Sequence, residues 1–405
     1  MHRSLLSFLL LTQFCILTAQ SKQTTILISF DGFRWDYIER GLSPTLDSLR
    51  TAGVTARSLQ PVNPTKTFPN HLAIVTGMYP EDHGIIQNDF WDRDANRRFR
   101  ISDTVEVRDP RWYTGEAVWE TARKAGKSTA SYFWPGSELN DEQRRPQHFE
   151  AYDQQRPYPV RVAGVLRWLA LPEKERPDLV LLYFDAVDTH GHQSGPSSSQ
   201  VNNAIAVVDS ALRSLVNGLR RLSMADRTNI IVVSDHGMSE IVPERTMSID
   251  HILSGERYRT QWNGTMIGVE SLDGRDTALV RKLRSALSGK AEVFLKKDIP
   301  SSYRFSRNRN IPPVMVFARN GWSILPTTVS SGDLLNYGRG SHGYDSESQE
   351  MHGIFVAGGP AFRSGSRTGT IRTIDVHPLL CRVLGIRPHS ASAGEVSRTM
   401  ELLRN

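Results

Sequence analysis

Three short, unbroken apolar runs, each ending on or within a few residues of a carboxylate, constrain this chain more than any other feature. Thr24 to Phe30 runs into Asp31-Gly32, Leu179 to Phe184 into Asp185 and Asp188, and Ile230 to Val233 into Asp235. Continuous apolar strands must be covered on both faces, so such runs separated by amphipathic helices predict an α/β fold with a mostly parallel central sheet. Further strands are expected at Ser128 to Phe133 and Gly353 to Ala357. A short helix is expected from Pro44 to Leu49, closed by Gly53. A long one is expected from Gln200 to Leu219, where Val201, Ile205, Val208, Leu212, Leu215 and Leu219 make one apolar stripe. In such sheets ligands collect beyond the carboxyl ends of the strands, which is where the acidic residues lie.

Of the 405 residues 39% are apolar and 23% charged, which excludes a disordered, collagen-like or disulfide-scaffold chain. The net charge of +6 permits anionic substrates, yet the chain lacks the lysine-rich runs of a nucleic-acid arm, and no stable nucleic-acid complex is expected. Arg3, the apolar stretch Leu5 to Leu17 and the small residues around Ala19 predict a signal peptide over residues 1–19. That stretch is too short for a membrane span and no later segment is long enough, so the mature chain is expected to be exported and soluble. Cys15 leaves with the signal and Cys381 remains alone, which fits a bacterial periplasm or exterior better than a bridged animal secretory enzyme. Residues 20–405 are expected to form a single domain with two insertions. One is near 89–111, polar, arginine-rich and poor in periodicity; the other is near 240–310, irregular except for a helix from Thr277 to Leu287.

The chemistry concentrates in four segments: Asp31-Gly32, Asp188-Thr189-His190-Gly191-His192, Asp235-His236-Gly237-Met238 and His342-Gly343-Tyr344-Asp345. Taken singly, an Asp after a strand is more often a turn former or helix cap than a ligand. Together they supply carboxylates and imidazoles of the kind that suit Zn²⁺, and two such ions side by side neutralise a phosphoryl group from both ends. Asp188 and His192 would share a face on a helical turn, but the glycine between them suggests a loop. Pro69 fits the first turn of a helix through Leu72-Ala73-Ile74-Val75, which puts Thr67 just before a helix amino end, where an anion is favoured. Thr67 there is either a nucleophile activated by a neighbouring cation or simply the helix cap.

The run Lys66-Thr67-Phe68-Pro69-Asn70-His71, followed by Thr76-Gly77-Met78-Tyr79-Pro80 and His83-Gly84-Ile85-Ile86, resembles the nucleotide pyrophosphatase/phosphodiesterase family of the alkaline phosphatase superfamily. The likeness continues through Phe133-Trp134-Pro135-Gly136-Ser137, Ser234-Asp235-His236-Gly237-Met238, His342-Gly343-Tyr344-Asp345 and Met351-His352-Gly353-Ile354-Phe355. It implies an alkaline-phosphatase-like fold and two zinc ions, one on Asp31, Thr67, Asp235 and His236, the other on Asp188, His192 and His342. The family's usual Glu-Pro-Asp-x-x-Gly-His stands here as Ala186-Val187-Asp188-Thr189-His190-Gly191-His192; both ligand positions survive, and His190 is placed outside the ligand shell. The resemblance also makes Asn88 a phosphoryl-oxygen donor and Phe68 and Tyr152 the aromatic partners of a nucleobase. Stacking on such faces tolerates any base, which implies broad use of nucleotides such as ATP, NAD and dinucleotides.

The mechanism so implied is an in-line attack by Thr67, a nucleotidyl-threonine intermediate, and hydrolysis to nucleoside 5′-monophosphates with net retention at phosphorus. Thr67 excludes the formylglycine chemistry of sulfatases. A phosphate monoesterase would need an added cationic group, for which only Arg93, Arg97, Arg98 and Arg100 offer themselves. A choline-phosphodiester or lysophospholipid phosphodiesterase is a further alternative, opposed by the length of the Asp89 to Arg111 segment, which would obstruct a lipid channel.

Overall fold

A computed structural model of the chain describes residues 22–327 and 338–404; the predicted signal peptide lies outside them. The central sheet has eight strands in the order Ser366–Thr368, Val54–Ala56, Phe355–Gly358, Thr228–Val233, Thr24–Phe30, Leu179–Phe184, Thr129–Tyr132 and His148–Glu150. The five strands from Thr228–Val233 to His148–Glu150 run parallel. Phe355–Gly358 is antiparallel to both its neighbours, so the sheet is mixed at that side. The three apolar runs are its centre, paired in register as Leu27 beside Leu181 and Ile231, and every one of their residues is buried. Two apolar cores cover the faces. One takes Leu27, Leu179, Leu181 and Ile231, and the other Ile26, Ile28, Val180 and Leu182, the alternation that a strand covered on both sides requires.

The helices lie where the stripes place them, at Pro44–Ala52 and Ser199–Arg221, the latter burying Val201, Ile205, Val208, Leu212, Leu215 and Leu219. Both insertions are more ordered than their sequences suggest. The polar segment after Asn88 is an antiparallel hairpin, Asp89–Asp92 with Arg97–Arg100, followed by a helical turn at Thr104–Val107. Each of its strands sends only one large apolar side chain firmly inward, Phe90 and Phe99, whose rings stack 5.2 Å apart, so the alternation is too short to read.

The excursion expected over 240–310 is also more ordered and longer. Tyr258–Gln261, Met266–Ser271, Val314–Ala318 and Ala291–Leu295 form a four-stranded antiparallel sheet, with the helix Asp276–Ala286 packed on it. Val314–Ala318 is a middle strand, which is why the excursion does not end at Asn310. Its Val314 and Val316 enter a separate core with Leu279 and Leu283, while Met315 and Phe317 join the core of the central sheet. Among the described residues no helix is long and apolar enough to cross a membrane, and Cys381 is buried and unbridged.

Candidate active site

The acidic residues meet at the carboxyl edge of the parallel strands because three adjacent strands end there. Asp31 follows the central strand, Asp235 follows its neighbour on one side, and Asp188 follows the strand on the other. Asp188 and His192 lie on a helix, Ala186–Ser194, not on a loop as the intervening glycine suggested. Gly191 serves packing instead: a Cβ there would stand 2.9 Å from Cε of Met238. Gly32 has the tighter requirement. Its φ is +67°, and a Cβ would fall 2.8 Å from both Cα and Cβ of Asp188, so the bare backbone lets that helix close onto Asp31. The Asp188 amide donates to the Asp31 carbonyl at 3.0 Å, and the Gly32 amide to Asp235 Oδ1 at 3.2 Å.

Thr67 is the first residue of the helix Thr67–Thr76, one position further in than expected, and Lys66 takes the cap position. Its Oγ1 lies 3.4 Å from Nε2 of His236. His236 Nε2 in turn stands 3.0 Å from Asp235 Oδ2 and 3.5 Å from Asp31 Oδ1. On the other side, His192 Nε2 and His342 Nε2 lie 3.4 and 3.7 Å from Asp188 Oδ1. The rings of His236 and His342 stack 3.5 Å apart and join the two halves.

Among the described residues three groups place ligand atoms within 4.8 Å of one another: Asp188, His192 and His342; Asp31, Asp188 and His236; and Asp31, His71 and Asp235. His190 belongs to none of them.

Whether these residues suit cations can be judged from their hydrogen bonds. Asp31 Oδ1, Asp188 Oδ1 and Asp235 Oδ2 are buried without a hydrogen-bond partner, a costly arrangement unless something else satisfies them. Each imidazole is oriented from behind: Nδ1 of His192 faces the Gly340 carbonyl at 2.9 Å, that of His342 the Thr65 carbonyl at 2.7 Å, and that of His236 the Gly237 carbonyl at 2.9 Å. With Nδ1–H donated to a carbonyl, the lone pair of Nε2 points inward, the arrangement metal-binding histidines adopt. Three bare carboxylate oxygens and three inward nitrogens fit divalent cations of the Zn²⁺ type.

The electrostatics agree. Burial, then the charges of Asp235 and Asp188, hold the Asp31 carboxyl well above the ordinary range, opposed by the Tyr183 hydroxyl, which donates to its Oδ2 at 2.6 Å. Burial also works against ionisation of Asp235, but the imidazoles of His236 and His71 outweigh it and hold that carboxyl well below its usual range. For His236 the burial cost is overcome by Asp235 and the pKa rises; for His342 burial, reinforced by His236 and Lys66, pushes it well down. Burial and the neighbouring carboxylates thus oppose ionisation of Asp31, and added positive charge in this volume would relieve the repulsion.

His71 is a site residue whose role sequence reasoning left unassigned. It sits four residues after Thr67 on the same helix, with Nδ1 2.9 Å from the Thr67 carbonyl and 3.3 Å from Asp235 Oδ2, and Nε2 2.8 Å from Ser29 Oγ. The i, i+4 spacing within one helical turn was the available signal. Tyr183 carried no such signal, since it reads as one more apolar strand residue.

Beside Thr67 a cavity of about 330 Å³ is lined by Phe68, Tyr152, Phe133, Asp185 and Asp188 among others. Phe68 and Tyr152 therefore line one space. Asn88 is engaged through Oδ1, which accepts the Phe68 amide at 3.0 Å, leaving its NH₂ as the group free to donate.

Comparison with known proteins extends the geometry. The family model for type I phosphodiesterase/nucleotide pyrophosphatase matches residues 25–345. A Schizosaccharomyces pombe protein described as an uncharacterized pyrophosphatase/phosphodiesterase is 35% identical over 95% of this chain and 81% of its own. Human ectonucleotide pyrophosphatase/phosphodiesterase family member 5 is 33% identical over 92% of this chain and 76% of its own. A venom phosphodiesterase of Crotalus durissus collilineatus is 34% identical over 94% of this chain, which spans about half the length of that relative, 46%. The solved structure of human member 5 matches with a TM-score of 0.88 at 31% identity, over 95% of this chain and all of that one. Its murine counterpart, solved as an inactive variant in complex with AMP, matches with the same TM-score at 30% identity over 94% of this chain. With the family model covering most of its length, a fold shared with these structures and a carboxylate and imidazole cluster beside a helix-borne threonine, the chain belongs to the type I phosphodiesterase/nucleotide pyrophosphatase family of hydrolases.

Proposed function

We propose that the chain is a two-zinc nucleotide pyrophosphatase/phosphodiesterase that cleaves phosphodiester and pyrophosphate bonds of nucleotides through a nucleotidyl-threonine intermediate, releasing nucleoside 5′-monophosphates. The observation that carries this reading is the convergence of three unpartnered buried carboxylate oxygens, with three inward-facing imidazoles, on a volume next to the Thr67 hydroxyl. Asp31, Thr67, Asp235 and His236 would hold one cation and Asp188, His192 and His342 the other. When bound, such a pair supplies charge neutralisation at the phosphoryl oxygens and makes a hydroxyl or water acidic enough to react near neutral pH.

The chain's own groups do the rest. Thr67 Oγ, its proton passing to solvent, attacks phosphorus in line as the bond to the opposite, leaving oxygen breaks, and water then cleaves the threonine ester to release the 5′-monophosphate; Thr67 is held at the start of its helix, whose dipole favours the phosphoryl charge. The NH₂ of Asn88 donates to a phosphoryl oxygen, and Phe68 with Tyr152 receives the base in the adjoining cavity. His71 braces Thr67 through its backbone carbonyl and Asp235 through its carboxylate. Residues 20–405 are read as a single catalytic domain with the two insertions. Export, to a bacterial periplasm or the exterior, is part of the proposal; the apolar Leu5 to Leu17 stretch and the ecto- and venom enzymes among the relatives support it.

The test is to identify products from ATP, ADP-ribose, NAD and a dinucleotide with metal content determined on the same sample, for the parent and for Thr67→Ala. The expected result is AMP from each, close to two zinc ions per chain, and loss of turnover by at least about 10³-fold in the variant with its fold retained. Faster hydrolysis of p-nitrophenyl phosphate than of p-nitrophenyl thymidine 5′-monophosphate, or choline release from glycerophosphocholine exceeding AMP release from ATP, would reverse the assignment.

A further inference from the structure

On the antiparallel side of the central sheet the strands Phe355–Gly358, Val54–Ala56 and Ser366–Thr368 lie side by side, with Val356 opposite Thr55 and Thr55 opposite Arg367. Side chains alternate between the faces of a strand, so Val356, Thr55 and Arg367 share one face, joined by Ile354 and Arg57 two residues along. Phe355, Ala357, Val54 and Ala56 enter the core on the other face.

The helix Pro44–Ala52 covers the first of these faces only in part. It is tight against the Gly358 end: a Cβ on Gly358 would stand 2.6 Å from Cδ1 of Leu49, and one on Gly53 would run into the Ala357 carbonyl oxygen. Toward Ile354 the cover gives out, and a cavity of about 230 Å³ remains between the sheet and the 3₁₀ turn Tyr37–Arg40. Ile38, Ile354 and Val356, all buried, give it an apolar lining, to which the half-buried Trp35 adds its indole. It shares no lining residue with the cavity beside Thr67.

Its charged lining is unbalanced. Glu39, Arg50, Arg57 and Arg367 all contribute to it, and Arg50 is answered by Glu39 and Asp47. Among the described residues neither Arg57 nor Arg367 has a carboxylate within ion-pair distance, and the Arg57 guanidinium donates only to the Thr370 hydroxyl, at 3.2 and 3.4 Å. Trp35 is fixed by its amide, which donates to the His352 carbonyl at 3.0 Å, while its indole N–H has no acceptor among the described residues. A guanidinium offers donors in a planar fork that matches a carboxylate. An apolar hollow is thus rimmed by two cations and one indole donor that no acid of the chain answers.

We propose that this cavity binds a small amphiphilic carboxylate, with its hydrocarbon part against Ile38, Ile354, Val356 and the Trp35 ring and its carboxylate on Arg57 and Arg367. A bare anion leaves the hollow unfilled, and a neutral molecule leaves the arginines unanswered; the two features together select a short-chain organic acid. The site goes beyond the phosphodiesterase reading and does not depend on it.

The test is isothermal titration calorimetry of the purified chain with hexanoate, acetate and hexan-1-ol at low salt. Hexanoate is expected to bind a single site with a dissociation constant of about 1 mM or below. Acetate, which keeps the charge and lacks most of the chain, and hexan-1-ol, which keeps the chain and lacks the charge, are each expected to bind at least about 10-fold more weakly. Arg57→Gln/Arg367→Gln changes two exposed side chains and is expected to weaken hexanoate by at least about 10-fold; added salt is expected to weaken the parent in the same direction. A carboxylate is also a ligand for a bound cation, so hexanoate is titrated into His192→Ala as well, where affinity within about two-fold of the parent is expected. Should that variant fail to fold, the parent treated with a chelator gives the same comparison. No binding of hexanoate up to about 10 mM overturns the proposal, as do full binding in the double arginine variant, loss of binding with the metal cluster disrupted, and acetate or hexan-1-ol binding as tightly as hexanoate.

Discussion

Replacing Tyr183 by Phe removes one oxygen and keeps the ring that packs against His71 and Tyr152, with centroids at 5.3 and 6.2 Å. The lost hydroxyl donates at 2.6 Å to Asp31 Oδ2 in a fully buried setting. A hydrogen bond to a charged group contributes about 1.5–3 kcal/mol, which corresponds to roughly 10- to 150-fold in an equilibrium constant. The proposed metal site needs Asp31 ionised, yet burial and the charges of Asp235 and Asp188 already raise its pKa, and the tyrosine hydroxyl is the group that opposes them. Metal binding therefore competes with a proton, so apparent affinity rises with pH, and Tyr183→Phe moves that rise to higher pH. The assay is zinc titration against a competing chelator at several pH values, with turnover at saturating metal measured in parallel. The expected outcome is affinity lowered about 10- to 100-fold, as for other groups that orient a ligand from behind, and largely restored at higher pH. Unchanged zinc affinity across the pH range, or a loss independent of pH, would refute the argument that this hydroxyl supports Asp31 as a ligand.

Gly32→Ala forces a Cβ to within 2.8 Å of Asp188 and asks a residue with φ +67° to leave glycine's range, so about 1–2 kcal/mol of stability and part of the metal content should be lost together; full metal occupancy in the variant argues against the close approach. His377 is buried with Nδ1 unpartnered, and burial, with His389 adding to it, pushes its pKa down to about 3. Below pH about 6.5 the unfolded chain protonates this side chain while the folded one does not, so stability present above that pH is lost as pH falls, at about 1.4 kcal/mol per unit. His377→Leu should therefore match the parent at pH 7.5 to within about 1 kcal/mol and exceed it by about 2 kcal/mol at pH 5 in denaturant titrations; parallel losses in both proteins contradict this.

The residues at the candidate site were readable from sequence where chemistry and local context coincide. Asp31, Asp188 and Asp235 stood out because each follows a strand too apolar to be anything but sheet centre, and the imidazole of His236 adjoins one of them. His71 and Tyr183 went without a role because their effect passes through a neighbour: one braces a carbonyl and a carboxylate, the other donates to a ligand, and nothing in their own segments marks either act. The hairpin after Asn88 carries too few inward residues for its period to register. The four-stranded sheet depends on Val314–Ala318, which pairs with the distant strands Met266–Ser271 and Ala291–Leu295 and so gives no local sign of where the excursion ends.

Five strands of the central sheet, the long amphipathic helix and the kinds of ligand on offer were legible in the chain alone, since periodicity and residue type act over one turn or one strand at a time. It took the folded molecule to show that Asp31, Asp188 and Asp235 share one buried volume and that Asp188 and His192 ride a helix packed on Gly32. Those outcomes depend on strand order and on close approaches between segments far apart in the chain, and the free energy of bringing them together is not carried by any one segment.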